Sequence, residues 1–144
     1  LFQSFNLVPY LNAIENVQLP MSLYGTDRES QQNQAKQLLE RFGLGDRLMH
    51  KPSELSAGQQ QRVAMARTLS MGPRLILADE PTGNLDPGLA ADIMQQLVGM
   101  CAQGTAVVIA SHDLALVKRM KKRVLVIDKG RLMDDISPEE LADE

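Results

Sequence analysis

The sequence predicts an α/β fold with a parallel sheet core and a mostly helical subdomain, and three observations carry that expectation. Leu75-Ile76-Leu77-Ala78 and Ala106-Val107-Val108-Ile109-Ala110 are continuous apolar runs of strand length. Runs that do not alternate suit parallel strands covered on both faces. Between them Asp86 caps and Pro87 starts a helix whose Leu89, Ile93, Leu97, Met100 and Cys101 share a face, with Gly104 ending the connection.

The stretch from Phe5 to Tyr24 is rich in apolar and turn residues, including Pro9, Asn12, Asn16 and Pro20, and holds no period for long. A loop followed by short helical pieces is expected there. From Asp27 the chain turns polar, with Ala35, Leu38, Leu39 and Phe42 spaced for one helix face and Gly43 as the stop. Ser56-Ala57-Gly58-Gln59 fits a capping box, so a helix should run from about Ala57 to Ser70, its N-terminus a positive dipole end with exposed amides. A third apolar run, Val124 to Ile127, precedes the tight-turn signal Asp128-Lys129-Gly130, after which Arg131 to Asp134 fits a returning strand. Ser137-Pro138-Glu139-Glu140 reads as the start of a short terminal helix.

At 144 residues the expectation is a single domain, and 44% hydrophobic with 23% charged residues is ordinary globular composition. A net charge of −3 provides no positive field for nucleic acid or anionic lipid. No apolar run approaches the roughly 20 residues that cross a bilayer, and no signal-like segment opens the chain, so a cytosolic location is expected. The single cysteine, Cys101, excludes an internal disulfide and any cysteine metal cluster; it reads as a core residue of its helix face. The opening Leu1-Phe2-Gln3 reads as the end of a strand, and the N-terminus as a cut.

In open parallel sheets, ligands bind beyond the carboxyl ends of the strands. Those ends carry Asp79-Glu80 and Ser111-His112. An acidic pair after a buried strand suits metal-nucleotide chemistry, one carboxylate holding Mg²⁺ and the next aligning a nucleophilic water. A pair of solvated acids or a helix cap is the plainer account of such a pair taken alone. Likewise Ser56 to Gln59 could be only a cap, His112 could close the following turn, and Asp86 serves as an N-cap before Pro87 in any case.

The ordered set is more specific than its parts. Gln3, Leu55-Ser56-Ala57-Gly58-Gln59-Gln60-Gln61-Arg62, Leu75-Ile76-Leu77-Ala78-Asp79-Glu80-Pro81, Gly83-Asn84-Leu85-Asp86 and Ser111-His112-Asp113 resemble, in order and spacing, the successive motifs of ABC ATPases. The resemblance implies the C-terminal part of a P-loop NTPase-like ABC ATPase fold. Residues 1–8 would hold the Q-loop, 9–70 the helical subdomain with the signature, and 71–144 part of the α/β core, with parallel strands at 75–79, 106–110 and 123–128. It also implies ATP and Mg²⁺ as cofactors, a transmembrane permease as partner and a homodimer of ATPase subunits. Gln3 would be the Q-loop glutamine, sensing metal and attacking water. Ser56, Ala57, Gly58 and Gln59 would contact the γ-phosphate of ATP on the opposite protomer. Asp79 would hold Mg²⁺, Glu80 would polarise water, His112 would hydrogen-bond the γ-phosphate, and Asp86 would communicate across the dimer. Ala57 departs from the family's usual glycine, a small change compatible with a helix.

Phe2 to Pro9, Leu11 to Val17 and Asp79 to Asp86 look most like the lipoprotein-releasing and macrolide-exporter branch, which implies a site on the inner face of the bacterial plasma membrane. The apolar segment 5–24 would then either receive a helix of the permease or simply pack the subdomain. No Gly-x-x-x-x-Gly-Lys-[Ser/Thr] motif occurs in the sequence. The chain by itself is therefore expected to hydrolyse ATP negligibly and to expose a sheet edge and apolar surface. Two other readings stay open: a soluble ABC protein acting in DNA repair or translation, and a non-catalytic remnant serving as an interaction piece.

Overall fold

The computed structural model describes residues 5–25, 27–83 and 85–140, apart from the side chain of Leu89. They fall into two compact units, Leu1–Ala110 and Ser111–Glu144.

The first unit opens with a loop that ends in α1 (Ala13–Gln18), where Asn12 and Glu15 cap each other reciprocally. A 3₁₀ turn, Met21–Tyr24, follows and stops at Gly25. Next, α2 (Arg28–Arg41) starts on Asp27, whose carboxylate accepts from the Ser30 amide at 2.9 Å. It ends at Phe42, and Gly43 takes φ +71°, the left-handed value that glycine adopts without strain. The third helix, α3 (Ala57–Leu69), has the expected box, with Ser56 and Gln59 bonded in both directions. These three helices pack together around Val17, Ala35, Leu39, Val63, Met65 and Ala66, each fully buried. Burial of such side chains stabilises by about 1.5–3 kcal/mol for each of the larger ones.

The strand, helix, strand crossover forms as expected. β1 (Leu75–Asp79) pairs in parallel with β2 (Ala106–Ala110), from Leu75 opposite Ala106 to Asp79 opposite Ala110, and α4 (Pro87–Ala102) connects them. On α4 Ile93, Met94, Leu97 and Met100 are buried. Cys101 is exposed, contrary to the expected core position; the buried stripe passes through Met94, and Cys101 falls in the last turn of the helix. A second correction concerns the sheet faces. Ile76 and Ala78 are buried, whereas Leu75 and Leu77 on the other face are 52% and 63% exposed, and Val108 on β2 is 54% exposed. A continuous apolar run says that both faces favour burial, but not what will cover them.

In the second unit α5 (Leu114–Met120) starts on Asp113, whose Oδ1 accepts from the Leu116 amide at 3.0 Å. β3 (Val124–Asp128) and β4 (Arg131–Ile136) form an antiparallel hairpin. The expected third parallel strand at 123–128 is thus a hairpin strand, and β1 with β2 make a separate two-stranded sheet among the described residues. A two-residue turn brings β4 beside β3 at small entropic cost, whereas parallel pairing needs a distant closure. Lys129 at φ +46° and Gly130 at φ +76° give the turn positive values at both central positions, as a type I′ turn requires. Beyond β4, Ser137 and Glu140 bond reciprocally through side chain and amide, which starts the expected terminal turn; residues 141–144 lie outside the described set.

Candidate functional site

The N-terminus of α3 is built by its capping box. Four amides at the start of a helix lack an intrahelical acceptor. Two of them are closed here: the Gln59 amide donates to Ser56 Oγ at 3.3 Å, and the Ser56 amide donates to Gln59 Oε1 at 2.9 Å. The amides of Ala57 and Gly58 remain as first-turn donors. Ser56 and Ala57 are exposed, and Gly58 is buried. Gln60 turns back, its Nε2 donating to Pro52 O and Leu55 O at 2.9 and 3.1 Å, which ties the preceding loop to the helix. The outcome is a helix end with small residues, free donors and a positive dipole, open to an anion.

The acidic turn follows β1. Asp79 ends the strand with an exposed side chain, and Glu80 is half-buried. The backbone of Glu80 stands at φ +45°, in the left-handed region that non-glycine residues seldom enter. The residue before a proline favours extended backbone, so this conformation is held against local preference. Its amide donates to Ala110 O at 2.9 Å, extending the β1–β2 ladder by one bond, and the Gly83 amide donates to Glu80 O at 3.1 Å. Pro81 and Thr82, the central residues of that turn, are buried. Asp86 then caps α4, its Oδ1 accepting from the Gly88 amide at 3.1 Å while Ala90 donates to its carbonyl at 2.9 Å.

A side chain not singled out from the sequence joins these two parts. Gln61 on α3, 1% exposed, donates from Nε2 to Pro81 O at 2.9 Å. Its Oε1 has no hydrogen-bond partner among the described residues, and a buried acceptor left unpaired costs about 1–3 kcal/mol. Beside it, Arg62 lies 3.4 Å from the Asp92 carboxylate on α4. Ser56 through Gln59 and Asp79 through Asp86 therefore belong to one unit, linked by neighbouring residues of α3.

His112 belongs to the second unit, exposed in the segment where Asp113 accepts from Leu116 and donates its amide to Ser111 Oγ at 3.2 Å. Gln3 and Asn84 lie outside the described residues. The Asn12 and Glu15 box and the buried Asn16 were also missed in the sequence, although Asn12-x-x-Glu15 is itself a capping signature.

Near the other end of α3, Arg67 donates to Asn6 O at 2.8 Å and to Phe5 O at 3.1 Å. Burial lowers the pKa of its guanidinium from the usual value. Arg67 forms one wall of a cleft of about 440 Å³, with Phe5, Leu19, Leu23 and Met71 among its apolar walls. Leu23, Tyr24 and Tyr10 nearby in sequence are 79%, 74% and 74% exposed.

No group of three metal-binding side chains exists among the described residues. A single exposed carboxylate at a strand end does fit Mg²⁺, which is held by one or two carboxylates together with substrate phosphates and water. Among the described residues no helix is long and apolar enough to cross a membrane.

A family model described as ABC transporter matches residues 1–83. Over 141 residues, 97% of the chain and 59% of the relative, the chain is 41% identical to the glutamine transport ATP-binding protein GlnQ of Escherichia coli (strain K12). It is 46% identical over 132 residues, 91% of the chain and 58% of the relative, to the lipoprotein-releasing system ATP-binding protein LolD 2 of Caulobacter vibrioides. The chain thus spans about three-fifths of the length of these curated relatives. A solved dimeric ATP-binding cassette in a post-hydrolysis state, bound to ADP and Pi, superposes with a TM-score of 0.81 at 36% identity, covering 95% of this chain and 62% of that one.

Proposed function

The chain belongs to the ABC transporter ATP-binding family, and from that premise we propose that it is the larger part of an ATPase subunit that powers a membrane permease. The observation that carries the reading is the pairing, in one unit, of an exposed helix N-terminus at Ser56 to Gln59 with an acidic turn at the carboxyl end of a parallel strand.

In this reading residues 1–8 form the Q-loop, 9–70 the helical subdomain and 71–144 part of the α/β core. The hydroxyl of Ser56 and the amides of Ala57 and Gly58, with Gln59 behind them, bind the γ-phosphate of ATP carried by the opposite protomer of a homodimer. The Glu80 carboxylate accepts a hydrogen bond from the water that attacks the γ-phosphorus of the ATP on its own protomer, the positioning duty that phosphoryl transfer asks of a protein base. Asp79, with Gln3, holds Mg²⁺, which when bound neutralises charge on the phosphates. His112 donates a hydrogen bond to the γ-phosphate, and Asp86 faces the dimer partner.

The cleft beside Arg67, with the exposed apolar residues of segment 5–24, takes a helix of the permease. The protein then sits at the inner face of the bacterial plasma membrane through that partner. For the transported substrate we favour lipoprotein release or export, on the similarity to LolD 2 and on the segments Phe2 to Pro9, Leu11 to Val17 and Asp79 to Asp86; GlnQ, a glutamine transport ATP-binding protein, is similar as well.

The test is Glu80→Gln in the natural full-length protein. Steady ATP turnover should fall by about 10²-fold or more, the scale of a lost general base, while ATP binding is kept. Turnover at the unsubstituted rate would sink the reading.

A further inference from the structure

Gln61 is a core residue whose two polar ends are treated differently. Its Nε2 donates to Pro81 O at 2.9 Å across 20 residues of sequence, while Oε1 is buried with no partner among the described residues. Rotating the amide would set Oε1 against the Pro81 oxygen, so the carbonyl decides its orientation. For packing alone, an apolar side chain would suit this place better than a half-paired amide. What the amide holds accounts for it.

Pro81 follows Glu80, whose left-handed backbone persists only if its surroundings over-determine it. Among the described residues, three backbone-directed hydrogen bonds contribute to this. One comes from the sheet, Glu80 amide to Ala110 O; one from the turn itself, Gly83 amide to Glu80 O. The third is Gln61 to Pro81 O, and it comes from the helix whose N-terminus carries Ser56 and Gly58.

We infer that Gln61 is a positioning residue, which fixes the Glu80–Pro81 turn, and with it the direction of the Glu80 carboxylate, against the anion-binding end of α3. The inference rests on the role proposed above for Glu80. Gln61 touches neither nucleotide nor water; it acts through the turn, so its loss should be felt in the chemical step and not in nucleotide binding.

In the natural full-length protein, Gln61→Met keeps the volume and removes the donor, and Gln61→Asn keeps the amide but shortens its reach. Both are expected to lower kcat for ATP about 10- to 100-fold, the scale of a displacement near 1 Å at the reacting centre. The KM for ATP should stay within about twofold, and the thermal transition should stay cooperative. Glu80→Gln, measured beside them, separates the two readings. If it retains full turnover, the role of Glu80 falls and the positioning falls with it. If it is inactive while both Gln61 variants turn over at the unsubstituted rate, only the positioning is overturned. A KM that rises as far as kcat falls, or loss of the cooperative transition in both variants, makes Gln61 a packing residue and likewise overturns the inference.

Discussion

Asn16, fully buried, pairs with Val8 through two hydrogen bonds: the Val8 amide donates to Asn16 Oδ1 at 2.8 Å, and Asn16 Nδ2 donates back to Val8 O at 3.2 Å. The same Nδ2 also serves Leu11 O and Asn12 O at 3.0 Å each. One side chain thereby supplies what a neighbouring strand would supply to an irregular segment, whose buried backbone groups must be paired somewhere. Asn16→Ala takes the partner from the Val8 amide and the Leu11 carbonyl, while Val8 O and Asn12 O keep the Leu11 and Asn16 amides, and is expected to cost about 3 kcal/mol. Urea denaturation of the two proteins side by side measures it, and a loss under about 1 kcal/mol would contradict the account.

The left-handed backbone of Glu80 gives a stability test independent of any activity. Glu80→Ala and Glu80→Gly both remove the carboxylate and its contacts. They differ in what the backbone must bear, because a Cβ at positive φ costs about 1–2 kcal/mol and glycine has none. The Gly variant should therefore be the more stable by about 1 kcal/mol, the reverse of the order found at ordinary positions. Equal stabilities in thermal or urea melts would mean that the backbone relaxes once the side chain is gone.

In the hairpin, Arg123 grips Asp135 with two bonds, Nε to Oδ1 at 2.8 Å and Nη2 to Oδ2 at 2.6 Å. That hydrogen bonding first, and the positive charge second, hold the Asp135 carboxyl below its ordinary value near 3.8. A depressed acid contributes stability above its unfolded value and loses it as pH falls through the lower folded one. The stability gap between the natural chain and Asp135→Asn should be level above about pH 5 and shrink as pH falls below the ordinary carboxylate value of 3.8. Because the pair is exposed, added salt should narrow the gap at every pH. A gap that stays constant or widens as the pH is lowered, by denaturant titration, would place its origin elsewhere.

Local signals carried much of this fold. Ser56 with Gln59, Asp86 with Pro87, and Lys129 with Gly130 each announce a helix start or turn from neighbours in the chain, and each forms where expected. What depended on distant partners was less legible. Val124 to Ile127 has the composition of a buried parallel strand, but a type I′ turn beside it gives the nearer β4 the pairing. Leu75 and Leu77 read as buried because apolar content records a preference and not a neighbour. In the site, Gln61 stands last in a run of three glutamines, of which the sequence singled out only Gln59, for its place in the capping box. Its burial and the approach of Pro81 distinguish it from half-buried Gln59, which closes the cap, and Gln60, which ties the preceding loop.

Along α3, thirteen residues and roughly 20 Å of stiff helix, three attachments are strung in order: the capped end at Ser56, the grip of Gln61 on Pro81, and the grip of Arg67 on the carbonyls of Phe5 and Asn6. A rod pinned in this way behaves as a lever. With the middle pin as fulcrum, tilting the rod swings the open amides at Ser56 while the acidic turn stays at the pivot.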